Sequence, residues 1–405
     1  MNAGDRAVVT AIAVMYAAIP LDGAFAVLDP LRAPFPPLLP ATGALVFGAV
    51  LIVAAAVCAW GLARRPPPPR ILLAQLAAAI AILPAALLGF DPATGFGLGL
   101  VTLVLGIPGA ALYRYSALPG VTRTVLVVTL ASAAASAALA LTMLALRSPA
   151  AIYAYNNGRA TGAFLNPNEL AGYLLVLLGL AAGAALCASG VALRALAALT
   201  LALGGAAFAA TYSRWGFASA LAGVALFAAW TGGRRAWIGL GVLALAAVLL
   251  IAGPGRAFHD PRDDASRIVA WATGVRTFLA FPLTGVGPLA FARTYDVLRP
   301  PEAPGGHAPV AFDPHSLPLA YASESGILGV VALLIFWTVY VREIRHALHA
   351  AGRRRRAFVY AAAEVLSAQN EHVLANTISI YFALAPQGAA LALALARREP
   401  DASAT

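Results

Sequence analysis

The chain has 405 residues, of which 61% are hydrophobic and only 11% are charged. Soluble domains contain about a quarter charged residues, so this composition excludes an ordinary water-soluble protein. The net charge of +10 comes from arginine alone, since the sequence contains no lysine. Most of these arginines stand in short segments between apolar runs, which is typical of the positive-inside rule, and we expect no nucleic-acid partner.

Apolar runs of about 20 residues recur along the chain, each long enough to cross a hydrocarbon core of about 30 Å. They lack the alternation of barrel strands, so the backbone has to be satisfied within helices. We predict an all-α, polytopic integral membrane helix bundle, formed by residues 1–405 as a single membrane domain with about 12 transmembrane helices. The predicted spans are 8–27, 40–62, 71–89, 94–112, 124–146, 168–187, 190–211, 215–231, 236–253, 317–341, 357–369 and 378–396.

Two of these segments leave alternatives open. Segment 357–369 is short, so it is either a full span or re-entrant. The first apolar run is followed by Ala24-Phe25-Ala26, which fits a signal-peptide cleavage pattern, but such a match is common in an alanine-rich chain, and we expect a retained helix. Cys58 and Cys187 are too far apart to suggest a metal motif, and we interpret them as small core residues.

The arginines predict the orientation of the bundle. When both termini are placed in the cytoplasm, the clusters at 64–70, 114–123, 234–235, 342–345, 353–356 and 397–398 all fall inside. The sequence therefore predicts a multi-pass protein of the bacterial inner membrane with cytoplasmic termini.

A second group of arginines falls on the periplasmic side, where the orientation rule does not explain them. Most lie in 254–316, a large loop between predicted transmembrane helices 9 and 10, and loops of such length are usually functional. We expect short amphipathic helices within it. The group includes Arg159, Arg214, Arg256, Arg262, Arg267, Arg276, Arg293 and Arg299.

Residues 162–171 have the pattern of a helix start. Asn166 suits the N-cap, Pro167 the first helical position, and Glu169 a capping box. Capping does not explain Asn168, and a helix N-terminus can also bind an anion. Structural and substrate-binding roles stay open here.

The next polar segment, Thr211 to Gly216, predicts an outside turn between two apolar helices. Arg214 is either an interfacial arginine that snorkels or a ligand for phosphate oxygens, which suit a guanidinium fork. Apolar residues between 268 and 279 have helical spacing, which predicts an amphipathic surface helix. We expect Ser266 or Asp264 to cap this helix and Arg267 to lie in its first turn, on the wet face.

Pro282 to Pro288 contains Gly285 and Gly287 in a pattern similar to a dinucleotide fingerprint. No strand precedes it, so we predict a tight turn. His315 then stands at the start of the next span, about two turns before Glu324. An ionised carboxylate at that depth is costly unless it is paired, so we expect Glu324 to face the bundle and to meet an outside arginine.

In this order, the four features resemble the O-antigen ligase and O-antigen polymerase superfamily of polytopic bacterial membrane proteins. The resemblance covers about 162–330 and rests on Gly-x-Phe-x-Asn-Pro-Asn-x-x-Ala at 162–171, Ser213-Arg214, Arg267 through the 282–288 turn, and His315 through Glu324-x-Gly326-x-x-Gly329. The first five helices match only in hydrophobicity. Ser316 stands where the family has asparagine, and Pro318 interrupts the start of the following helix.

The resemblance implies glycan transfer from a polyprenyl-diphosphate carrier to a lipid or glycan acceptor at the outer face of the inner membrane. Arg214 and Arg267 would hold the donor diphosphate, and His315 would orient or deprotonate the acceptor hydroxyl. We predict a metal-independent, inverting glycosyl transfer that uses no cofactor. The further substrate-binding candidates are Arg159, Asn166, Asn168, Tyr212, Arg276 and Glu324.

Three alternatives remain. A repeat-unit polymerase would use the same residues as a ligase. A solute transporter, for example of bicarbonate, would have polar residues spread through many helices and internal duplication, which the sequence lacks. A purely structural or assembly role would leave the outside arginines unexplained.

Overall fold

A computed structural model describes residues 1–25, 41–164, 166–188, 190–231, 233–253, 257, 261–300, 314 and 316–350. Within these ranges every regular element is helical, which confirms the all-α class. A 3₁₀ turn lies at Gly162–Phe164. The helices are α1 (Ala3–Phe25), α2 (Ala41–Arg64), α3 (Pro69–Leu88), α4 (Pro92–Tyr115), α5 (Val121–Leu146), α6 (Ala150–Tyr155), α7 (Pro167–Cys187), α8 (Val191–Ala210), α9 (Arg214–Thr231), α10 (Arg234–Ala252), α11 (Pro261–Ala280), α12 (Phe291–Leu298) and α13 (Leu317–Ala350).

Ten of the predicted spans coincide with helices. Most bounds agree to within three residues, but α1 begins at Ala3 rather than 8, and α13 continues to Ala350 rather than ending at 341. Among the described residues, 7 helices are long and apolar enough to cross a membrane, namely α2, α3, α4, α5, α7, α8 and α13. The apolar part of α10, Trp237–Ala252, is shorter. The predicted spans 357–369 and 378–396 lie outside the described residues, so the total of about 12 stays a prediction.

Helices that pack as neighbours run antiparallel, since Gly4 at the start of α1 lies beside Arg64 at the end of α2, and Gly95 of α4 lies beside Ala86 of α3. Their connections therefore fall at two opposite ends of the bundle. At one end, which we call the basic end, Arg70 of α3 forms an ion pair with Glu343 of α13 at 2.8 Å. The hydroxyl of Tyr113 donates to the same carboxylate at 3.3 Å, and Arg65 pairs with Asp5 at 3.1 Å. These contacts place the start of α3, the end of α4 and the C-terminal half of α13 together. That the basic end faces the cytoplasm stays a prediction.

The opposite end, which we call the site end, includes the connections 89–91, 211–213 and 281–290 and the stretch 156–164 before α7. Between the two ends, α7 is the most enclosed span of the bundle and packs against α5, α8 and α9. Cys58 is buried in the main core cluster, as predicted. Helix α3 packs against both α4 and α13.

Helices α11 and α12 lie in the stretch that the sequence predicts to be a large loop with short amphipathic helices. Ala270, Thr273 and Thr277 of α11 are fully buried, whereas Ile268 and Leu279 are exposed on the other face. An exposed apolar face on a helix outside the spanning set is typical of a helix at a membrane surface. The face that points inward packs on α12 and α13.

The predicted start of α11 is wrong. The helix begins at Pro261, so Ser266 and Asp264 are not its N-cap and Arg267 lies in the second turn. Proline suits the first helical position because its φ is already helical and it has no N–H to satisfy. The apolar periodicity begins only at Ile268, and the boundary was predicted from that periodicity rather than from the proline.

Candidate functional site

The N-terminus of α7 forms one wall of the site end. Asn166 is its N-cap, since the side-chain Oδ1 accepts a hydrogen bond from the backbone N–H of Asn168 at 2.8 Å. Pro167 is the first helical residue, as predicted. Glu169 is buried in the first turn, and its predicted reciprocal contact with Asn166 stays a prediction.

Arg159 joins this wall to the turn between α8 and α9. Its Nε donates to the backbone oxygen of Thr211 at 2.6 Å, and its Nη2 donates to Oδ1 of Asn168 at 3.0 Å. The backbone N–H of Ala160 also donates to the oxygen of Ala210 at 3.0 Å. The two motifs at 162–171 and 211–216 are therefore adjacent in space.

The 211–213 turn is tightly determined. The hydroxyl of Thr211 donates to the oxygen of Phe208 at 2.6 Å, and Tyr212 has a φ of 49°, in the left-handed region. The Oγ of Ser213 accepts from the backbone N–H of Gly216 at 3.2 Å, which is an N-cap bond for α9. Arg214 is thus the first residue of α9, and it is half-buried.

The second part of the site end is a backbone crossing. Gly326 interrupts α13 with φ 60° and ψ −148°, values that only glycine adopts at little cost. The N–H of Ile327 then bonds to the oxygen of Pro282 at 2.8 Å, and the oxygen of Ser323 accepts instead from Val286 at 3.0 Å. The 282–288 turn thereby replaces one helical hydrogen bond of α13 with two bonds of its own.

Glu324 lies at this crossing and is 3% exposed. It is buried on the face it shares with Leu317 and Tyr321, as predicted. Its Oε2 accepts from the backbone N–H of Leu289 at 3.1 Å, and its own carbonyl accepts from Gly287 at 3.0 Å. The predicted arginine partner stays a prediction, while the structure adds a backbone donor that the sequence does not reveal.

A third segment, the connection between α3 and α4, completes the crossing. The N–H of Phe90 donates to the oxygen of Val286 at 2.9 Å, and a Cβ on Gly89 would lie 2.9 Å from that same oxygen. Arg293 of α12 forms an ion pair with Asp91 at 2.6 Å. Because the N–H and hydroxyl of Thr94 donate to Asp91, with Arg293 adding its charge, the pKa of that carboxyl is lowered.

Sequence reasoning missed this third segment, because the first five helices resemble the family only in hydrophobicity. A signal was present in Asp91-Pro92, which has the N-cap and first-position pattern of a helix start. It predicts where α4 begins but not that the connection contacts residues about 200 positions further along the chain.

The remaining candidates lie on α11 and beyond it. Arg267 is half-buried on α11, and Arg276 is exposed, with its Nη1 donating to the oxygen of Arg299 at 3.3 Å. A Cβ on Gly274 would lie 3.0 Å from the Cβ of Pro314, so α11 packs beside the residue that precedes His315. His315 itself lies outside the described residues. A single pocket shared by Arg214, Arg267 and His315 stays a prediction.

In the part of the chain that the structure describes, an all-helical bundle with 7 candidate spans defines a multi-pass membrane protein, and turns from distant segments pack together where its helices are connected. Residues 197–334, about a third of the chain, match the family model described as O-antigen ligase, which supports membership of that superfamily. The match confirms the resemblance seen in the sequence. No curated protein matches the chain.

The matched stretch includes Arg214, Arg267, the 282–288 turn and Glu324, whereas Arg159 and the 162–171 motif precede it. It supports a membrane protein of polysaccharide and lipopolysaccharide biosynthesis, with a function of the glycan ligase or polymerase type. It gives no support to the transporter alternative.

Proposed function

We propose that the protein transfers a glycan from a polyprenyl-diphosphate carrier to a lipid or glycan acceptor at the outer face of the bacterial inner membrane. The observation that carries the proposal is the family match, because it covers both candidate donor arginines and the turn that crosses α13. In this proposal the site end faces the periplasm and the basic end faces the cytoplasm.

On the donor side, Arg214 and Arg267 hold the diphosphate. A guanidinium presents parallel N–H groups that suit two phosphate oxygens, and its charge persists at any physiological pH. Arg214 stands in the first turn of α9, where the free N–H groups of the helix add positive potential. Two such cations stabilise the negative charge that develops on the departing lipid diphosphate, without a metal ion. Asn166, Tyr212 and Arg276 are further donor contacts in this proposal.

On the acceptor side, His315 is the proposed general base. It removes the proton of the acceptor hydroxyl while that oxygen bonds to the anomeric carbon and the bond from this carbon to the diphosphate oxygen breaks. Attack from the face opposite the diphosphate inverts the anomeric centre. Imidazole titrates near neutral pH, and a positioned base contributes about 10²–10⁴-fold to the rate. Glu324, buried about two turns further into α13, lines the same end of that helix.

A polymerase that joins repeat units is the second candidate, since the family match supports either type. The chemistry at the donor is the same, and only the acceptor differs. A ligase gives one product on each acceptor lipid, whereas a polymerase gives a ladder of lengths on the carrier.

The test uses the purified full chain in lipid with a polyprenyl-diphosphate glycan and candidate acceptors. Arg214→Ala and Arg267→Ala should each lose most of the transfer rate, and His315→Ala should lose about 10²–10⁴-fold. Arg147→Ala is the matched control, because this arginine is exposed near the site end and stacks over Tyr153. Undiminished transfer in all three site variants contradicts the assignment.

Two further arms of the same assay test the finer claims. If Arg267→Lys keeps full activity, bidentate recognition is not the role of Arg267. A chelator should leave the rate unchanged, and a rate that falls with chelator and returns with added divalent metal refutes metal independence.

A further inference from the structure

Arg159 donates hydrogen bonds from Nε and Nη2 to other groups of the protein. Nε and Nη2 form the pair of parallel donors with which an arginine grips two oxygens of a carboxylate or phosphate. Here Nε donates to the oxygen of Thr211 at 2.6 Å and Nη2 to Oδ1 of Asn168 at 3.0 Å. We infer that Arg159 is a positioning residue that fixes the turn before Arg214, in place of the substrate contact predicted from the sequence. This inference rests on the proposed function.

Both ends of the Arg159 link are suited to a cation. Thr211 is the C-cap of α8, where backbone carbonyls lack helical partners and the helix dipole favours positive charge. Asn168 is also held through its backbone, because its N–H donates to the side-chain oxygen of Asn166 at 2.8 Å. The guanidinium thus bridges the last turn of one spanning helix and the first turn of another.

The position of Arg214 depends on the Arg159 contacts because Arg214 lies only three residues after Thr211. The main chain adds a second contact between the same segments, because the N–H of Ala160 donates to the oxygen of Ala210 at 3.0 Å. Ala210 directly precedes Thr211, whose oxygen Arg159 binds. From Thr211, the left-handed Tyr212 and the capping Ser213 lead directly to Arg214. A displacement of the Thr211 carbonyl therefore redirects the start of α9 and its first side chain.

A double-mutant cycle separates positioning from direct contact. Arg159→Gln should lower kcat/KM about 10- to 100-fold, the cost of a displacement of about 1 Å in a reacting group. Arg214→Lys keeps the positive charge and should therefore keep measurable activity. It removes the guanidinium of Arg214, whose orientation Arg159 controls in this inference. In that background, Arg159→Gln should cost no more than about twofold further. A full second loss means that Arg159 contacts the donor itself and overturns the inference.

Hydrogen exchange gives a readout that does not depend on activity. In Arg159→Gln, amides of 208–216 should exchange faster than in the wild type, and Arg159→Lys should restore part of the protection and of the rate, because lysine can reach one of the two acceptors. Arg147→Gln is the control and should change neither. Unchanged exchange at 208–216 in Arg159→Gln overturns the inference. If the wild type transfers no glycan to any acceptor, the proposed function is overturned, and the exchange comparison still decides whether Arg159 holds the turn.

Discussion

Gly285 lies where the 282–288 turn crosses α13, and Gly285→Ala should destabilise the whole site end. A Cβ at this position would stand 2.5 Å from both the oxygen of Glu324 and the nitrogen of Ser325. Real Cβ contacts are about 1 Å longer, so the turn and α13 would have to move apart, at a cost of about 1–3 kcal/mol for overpacking. The φ of 66° adds about 1–2 kcal/mol for any residue with a side chain.

The matched control is Gly205→Ala in α8, where a Cβ would meet nothing within 4 Å. Alanine is better than glycine in a helix by about 0.5–1 kcal/mol, so this variant should be neutral or stabilised. Thermal unfolding of both variants in the same detergent compares them directly, and hydrogen exchange at 282–290 and 323–327 locates the effect. Equal unfolding temperatures for Gly285→Ala and Gly205→Ala would contradict the close approach of Gly285 to the backbone of α13.

Two further predictions concern the same crossing. Glu324→Gln should keep the fold, because its amide oxygen can still accept from the N–H of Leu289. Glu324→Leu leaves that buried donor unpaired, at a cost of about 1–3 kcal/mol. Equal unfolding midpoints for the two variants would contradict this contact. Asp91 has a lowered pKa in the folded protein, so its contribution to stability is present above the ordinary aspartate value of about 3.9 and is lost as the pH falls through the lowered value. Asp91→Asn should therefore be less stable than the wild type at pH 7, and the gap should close at low pH; a gap that is independent of pH would mean that the charge on Asp91 does not matter.

The spanning helices were predictable because lipid leaves the backbone no other way to satisfy its polar groups. Local signals also placed the start of α7, since Asn166 and Pro167 act within one turn and need no information from elsewhere. The boundary of α11 was predicted from its apolar pattern instead, and this pattern begins two turns after Pro261, where the helix starts.

The contacts between distant segments were not predictable from side-chain patterns. Arg159 binds a backbone oxygen, and every residue has one, so nothing in the sequence singles out Thr211 as its partner. The approach of Phe90 to Val286 likewise uses backbone atoms alone. Its traces in the sequence are a glycine in each segment, Gly89 and Gly287, and two phenylalanines, Phe90 and Phe281, whose rings pack edge to face. Residues as common as these in this chain cannot be paired by inspection.

The ion pair between Asp91 and Arg293 joins residues 202 positions apart, and this separation has a consequence for biogenesis. At about 5–20 residues per second, the ribosome needs roughly 10–40 s to reach the second partner after the first has been made. During that interval α3 and α4 have already been synthesised, whereas α12, which pairs with their connection, has not. The site end is therefore completed last, after translation of α12 and the first half of α13. A chain that stops before residue 282 should insert its early helices without the turn that packs on the connection between α3 and α4.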